Sequence, residues 1–234
     1  MVRFPLIKTK EGIVTVQIEN QEKQFALEPL PNNFIDWQIN ERLKMFELLK
    51  RGENPTFLSP HLPTLITLSD ENNGFPMNAA SKGVGLVPQD KELSSLTNQL
   101  EESLKELKGS DPRSSLQKRL QTVMMFYGNR EKINQFCLGG LEIFETTSFS
   151  NMIRNPRVSL FFVGSAPLYK SYQINCIAEI IPADQWFYKF IISMRRVFER
   201  EQFHFQQAMY PYAIKYHTIE VFDKSLKVRE KVCK

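Results

Sequence analysis

The sequence predicts an α+β fold that is mainly β: antiparallel strands with flanking helices and an inserted helical hairpin. Three observations predict it. Residues 158–162, 172–181 and 213–222 alternate with the two-residue period of half-buried strands and are rich in β-branched and aromatic side chains. Between other segments of that kind lies a stripe of Leu93, Leu96, Leu100, Leu104 and Leu107, which falls on one face of a helix. Finally, Asn155-Pro156 punctuates the chain, because proline lacks an amide proton and disfavours helix at the residue before it.

Taken in chain order, Phe4 to Ile7 and Ile13 to Ile18 flank a Lys-Glu-Gly turn and read as a hairpin. Ile35, Ile39, Leu43 and Phe46 recur at helical spacing after Asn32-Asn33, and Gly52 with Pro55 ends that helix. Asp90 is placed to cap the leucine-striped helix, which Gly109 stops. Ser110-Asp111-Pro112 then offers a cap and a first-turn proline for a second helix, with Leu116, Leu120 and Val123 or Met124 inward and Gly128 closing it. Thr122 to Tyr127 reads equally as a short buried strand, since periodicity does not arbitrate so short an apolar run. Gly139-Gly140 reads as a strand bulge or turn.

A polar turn, Glu145 to Ser148, leads into a short helix through Phe149 to Arg154. The strand after Pro156 sets Val158, Leu160 and Phe162 against Ser159 and Phe161, and Ser165-Ala-Pro-Leu returns the chain. In the next strand Tyr172, Ile174, Cys176, Ala178 and Ile180 share one side, so the two form an antiparallel pair. After Pro182, Asp184 is placed to cap a helix whose Phe187, Phe190, Ile191, Met194, Val197 and Phe198 make one apolar face. Ala213 to Phe222 is the closing strand, and a charged, solvated tail follows Asp223. The organisation is an N-terminal hairpin and helix over 1–62, a mainly β body over 63–222 with a helical insertion at about 90–128, and the tail over 223–234.

Composition narrows the functional classes. The 234 residues carry 30 basic and 26 acidic side chains, a formal charge of +4 that is too mild to argue for nucleic acid. No run is long and apolar enough to span a bilayer, and the N-terminus lacks a signal-type core, which makes the cytoplasm the default location. Cys137, Cys176 and Cys233 are odd in number and lack metal-site spacing, so reduced thiols and no metal are expected.

The order of elements over Glu145 to Val163 and Ile174 to Ile181 resembles the FMN-binding split barrels related to pyridoxamine 5′-phosphate oxidase. In that family a Thr/Ser-rich turn, a short helix, an Asn-Pro-Arg stop and a strand like Val-Ser-Leu-Phe-Phe precede a strand ending in a small residue plus Ala-Glu. Pro63 to Asn78 looks like the family's opening hairpin, and the resemblance covers roughly 63–87 and 137–222. It implies a split β-barrel, a homodimer, FMN held between subunits, and electron transfer to or from a small molecule. FMN carries a dianionic phosphate, which calls for amides, hydroxyls and cationic side chains. Thr146, Thr147 and Ser148 stand at the family's phosphate-binding turn, while Lys82 and Arg157 are the basic residues able to join them. The same turn also reads simply as a helix cap.

The chain departs from the family within that turn: Ser148 stands where lysine is usual and Thr147 where arginine is frequent. Three functions therefore stay open. The first is an FMN-dependent oxidoreductase, in which the cofactor supplies the redox chemistry. The second, which the missing lysine favours, is a split-barrel binding or interaction module without flavin. The third is a haem-binding relative with His204 or His217 as axial ligand. Tyr169, Tyr172, Trp186 and Tyr210 read either as flavin-pocket or as core aromatics.

Overall fold

The computed structural model describes residues 4–19, 21–53, 60–69, 74–111, 113–164, 169–198 and 210–225. At the N-terminus β1 (Ile7–Lys10) and β2 (Ile13–Ile18) form a hairpin whose first strand lies at 7–10 and not at 4–7, with Glu11 and Gly12 at φ +51° and +77° in its two-residue turn. A third strand, β3 (Gln21–Ala26), pairs with β2 and completes a small sheet. The sequence reading missed β3 because Gln-Glu-Lys-Gln is polar and mostly exposed and carries no apolar alternation. Val14, Val16 and Ile18 pack this sheet against Ile177 on the outside of the large sheet.

The remaining strands are β4 (Thr64–Leu68), β5 (Met77–Ser81), β6 (Val84–Pro88), β7 (Ile133–Glu142), β8 (Arg157–Val163), β9 (Ser171–Pro182) and β10 (Tyr212–Asp223). They form one sheet in the order β5-β4-β8-β9-β10-β7-β6, every ladder antiparallel. β5 and β6 stand at opposite edges, yet only Lys82 and Gly83 separate them in the chain. The three residue steps from Ser81 to Val84 reach about 10 Å at most, so the sheet must curl until its two edges meet. No ladder joins β5 to β6, which leaves the expected barrel split along that seam.

Helices cover the barrel. α1 (Asn32–Lys50) seats Phe34 against Phe162 and Tyr172, both ring centroids at 5.1 Å, with Trp37 beside them. α2 (Leu93–Glu106) and α3 (Leu116–Tyr127) are the insertion between β6 and β7, so residues 122–127 are helix and not strand. Leu93, Leu96, Leu100 and Leu107 are buried as expected. α4 (Thr147–Arg154) joins β7 to β8, and α5 (Trp186–Arg196) joins β9 to β10. Arg119 of α3 donates to the carbonyl of Val197 just past α5, which ties the insertion to that helix.

Two caps differ from expectation. Asp90 opens a single 3₁₀ turn with no side-chain cap bond and instead pairs with Lys215 at 3.0 Å, and α5 starts after Gln185, not at Asp184. Asp111 holds the turn before α3, accepting the Arg113 and Ser114 amides at 3.1 and 2.9 Å, while the N-cap position of α3 itself is Ser115, without a side-chain cap bond. Pro55, Pro112, the 165–168 connector, His204, Cys233 and most of the tail lie outside the described residues.

Gly139 and Gly140 are neither bulge nor turn. Both sit in register in β7 between β6 and β10. A Cβ at Gly140 would lie 2.6 Å from the Gly83 carbonyl oxygen, a backbone atom at the seam, so the strands approach closer than any side chain allows. Gly140→Ala is expected to destabilise by about 1–3 kcal/mol through forced strand displacement, read as a lower urea midpoint. An unchanged midpoint would mean that the seam can open without cost.

Candidate cofactor site

The site is built where β7 ends. Glu142 is its last residue, and the chain turns through 143–146 before α4, with Glu145 at φ +47°. In that bent segment the Ile143, Phe144 and Glu145 amides all point inward. The Glu142 side chain folds back and its Oε1 accepts all three, at 3.2, 3.1 and 2.9 Å. Across the seam, Lys82 Nζ donates to Oε1 at 3.3 Å and to Oε2 at 3.1 Å. The Glu142 side chain is 1% exposed and that of Lys82 14%, so the pair is largely removed from water. Beneath it, burial pushes the Tyr216 phenol well above its ordinary value, and the Glu142 charge adds to the shift.

Thr146 precedes α4 as its N-cap residue without a side-chain cap bond, and Thr147 begins the helix; both are exposed. Ser148 is buried, and its Oγ accepts from Asn78 Nδ2 of β5 at 2.9 Å. One turn on, Asn151 donates to Thr67 Oγ1 at 3.0 Å, which fixes α4 to the sheet. Lys82, Thr146, Thr147 and Ser148 thus gather at one end of α4.

Arg157 does not join them. It follows the far end of that eight-residue helix, about 12 Å along the axis. Its Nε donates to Asn155 Oδ1 at 2.9 Å and its Nη2 lies 3.7 Å from Glu19 Oε1. There it edges a separate, mainly apolar cavity of about 340 Å³ with Phe25, Ile66 and Ile219. Arg157 thus stands at the start of β8, apart from the turn and beside Glu19.

The other described candidates divide between buried and exposed positions. His217 is buried in β10 between β7 and β9, and its Nε2 lies 2.7 Å from Glu179 Oε2, so its imidazole has no open face for a haem iron. Tyr172 and Tyr210 belong to the core, whereas Tyr169 and Trp186 are exposed. Burial pushes the Cys137 thiol up to about 12 and the Cys176 thiol up as well, which keeps both unreactive. Burial lowers the Lys215 value, but Cys137, Asp90 and Glu179 outweigh it and hold the ammonium above its ordinary range. Among the described residues no group of three or more His, Cys, Asp and Glu could hold a metal, and no helix is long and apolar enough to cross a membrane.

No protein-family model and no curated protein matches the chain. Solved structures of the same general kind do. An FMN-binding protein from Syntrophomonas wolfei is 6% identical with a TM-score of 0.42, covering 84% of this chain and 95% of that one. A Lactobacillus delbrueckii protein provisionally assigned as a pyridoxamine 5′-phosphate oxidase is 13% identical with a TM-score of 0.38, covering 83% and 93%. HutZ, the haem storage protein of Vibrio cholerae, is 10% identical with a TM-score of 0.39, covering 80% and 94%. At these scores the likenesses carry no functional argument, and the site must be judged on its own residues.

Judged so, the turn does not fit an FMN phosphate. Its three inward amides are satisfied by the Glu142 carboxylate, and Lys82 is paired with that same carboxylate. At about 4 Å and an effective dielectric near 20, each unit-charge pair is worth about 4 kcal/mol, so attraction of an oxyanion to Lys82 is cancelled by repulsion from Glu142. Glu142 is the residue that the sequence reading missed. The signal was a carboxylate closing a strand four residues before Thr146, but its partner Lys82 lies 60 positions away.

Proposed function

We propose that the chain is a split-barrel binding or interaction module that does not anchor FMN through its 143–148 turn. The observation that carries this reading is the Glu142 carboxylate seated on Lys82 and on the three turn amides, where a phosphate would have to sit. A dianion entering there must displace a buried carboxylate or lie against it. Either step is unfavourable, because a buried charge separated from its partner and amides loses several kcal/mol of compensation.

A second reading, an FMN-dependent oxidoreductase acting on a small molecule, has one observation in its favour. Thr146 and Thr147 stay exposed at the start of α4, just past the turn whose amides and Lys82 meet on Glu142. The absorbance spectrum of the protein as purified separates the readings. No visible band is expected. Flavin bands in the blue would replace the module by the flavoprotein, and an intense Soret band would replace it by a haem protein.

A further inference from the structure

Three successive backbone amides converging with a lysine ammonium on one point are the donor set of an oxyanion site, a concavity that accepts phosphate or carboxylate alike. In this chain the anion is internal. Glu142 receives five hydrogen bonds from that set, all from the 143–145 amides and Lys82, while it is itself 1% exposed. The donors do not depend on the Glu142 side chain for their placement alone. Glu145 holds its positive φ, Ser148 and Asn151 fasten α4 to β5 and β4, and Lys82 is fixed in the two-residue link between β5 and β6 with its own amide on the Pro63 carbonyl at 3.1 Å.

We infer that the 143–145 turn is a preformed oxyanion site occupied by the chain's own Glu142, and that removing this carboxylate opens it to inorganic phosphate. The inference deepens the reading that the turn holds no phosphate in the native chain. Glu142 acts there as the residue that decides specificity: it excludes external oxyanions by filling their position. Truncation leaves Lys82 without its carboxylate and the three amides without their acceptor, beside the exposed Thr146.

The test compares the full chain with Glu142→Ala by calorimetric titration with inorganic phosphate, alongside the rise in thermal midpoint relative to chloride at equal ionic strength. The variant is expected to bind phosphate about tenfold or more tightly than the wild type, the equivalent of about 1.4 kcal/mol, and to lose that gain in Glu142→Ala/Lys82→Met. A folded variant that binds phosphate no better than the wild type overturns the inference. Where truncation lowers the folded fraction, phosphate is expected to restore it, and failure of phosphate to outdo chloride overturns the inference equally. Flavin bound to the wild-type protein would overturn the proposed function instead, whatever the variant does with phosphate.

Discussion

Lys82→Met is expected to destabilise the protein by about 3 kcal/mol, because it leaves a carboxylate that is 1% exposed without its cation. The three amide bonds to Glu142 persist, which keeps the loss at the lower end of the range for a broken buried pair. The position matters as much as the burial: Lys82 lies in the two-residue link at the open seam of the barrel, and Glu142 ends the strand next to it. Lys82→Met/Glu142→Gln is expected to recover most of the loss, since no charge is then buried alone. Glu47 and Lys50 provide the contrast. Their contact is shorter, 2.5 Å, but both side chains are about half exposed, so Lys50→Met is expected to cost less than about 1 kcal/mol. Urea midpoints of the four proteins measure the difference, and a Lys82→Met midpoint equal to that of Lys50→Met would remove the pair from the account of the seam.

The other large effect lies in the core. Phe34→Ala is expected to cost about 3–5 kcal/mol, as a fully buried ring is lost from a cluster that cannot collapse to fill the gap. Phe34 meets Phe162 of β8 and Tyr172 of β9 edge-on at 5.1 Å each, with Trp37 at 6.0 Å, and is the residue through which α1 holds the paired strands. Phe34→Leu, which conserves most of the volume, is expected to cost under about 1.5 kcal/mol. Equal losses in the two variants would show that the ring, and not the filled volume, is what matters there.

These sites show which parts of the structure were legible in the sequence. Strong alternation made β8 and β9 readable with their antiparallel pairing and β10 readable as a strand, though β10 lies between β9 and β7 and does not close the sheet, and the leucine spacing made α2 readable. What local pattern could not carry was decided by tertiary approach. Gly139-Gly140 looked like a break in a strand, but the glycines let β7 lie close against Gly83, Val87 and α5. The exposed and polar β3 had no periodicity to betray it. In the candidate site, the turn and Lys82 were found from residue type, and the structure does bring them together. Arg157 lies apart from the turn because an eight-residue helix stands between them. Glu142 was passed over because a lone acidic residue says nothing until the fold shows three amides and a lysine converging on it.

The central claim is that this carboxylate already occupies the place of an external phosphate. Titration of the wild-type protein into free FMN, followed by flavin fluorescence, tests it most directly. The account predicts no saturable change across the micromolar range. Saturable quenching that is abolished in Thr147→Ala/Ser148→Ala would contradict it, by showing that the turn binds the FMN phosphate with Glu142 in place.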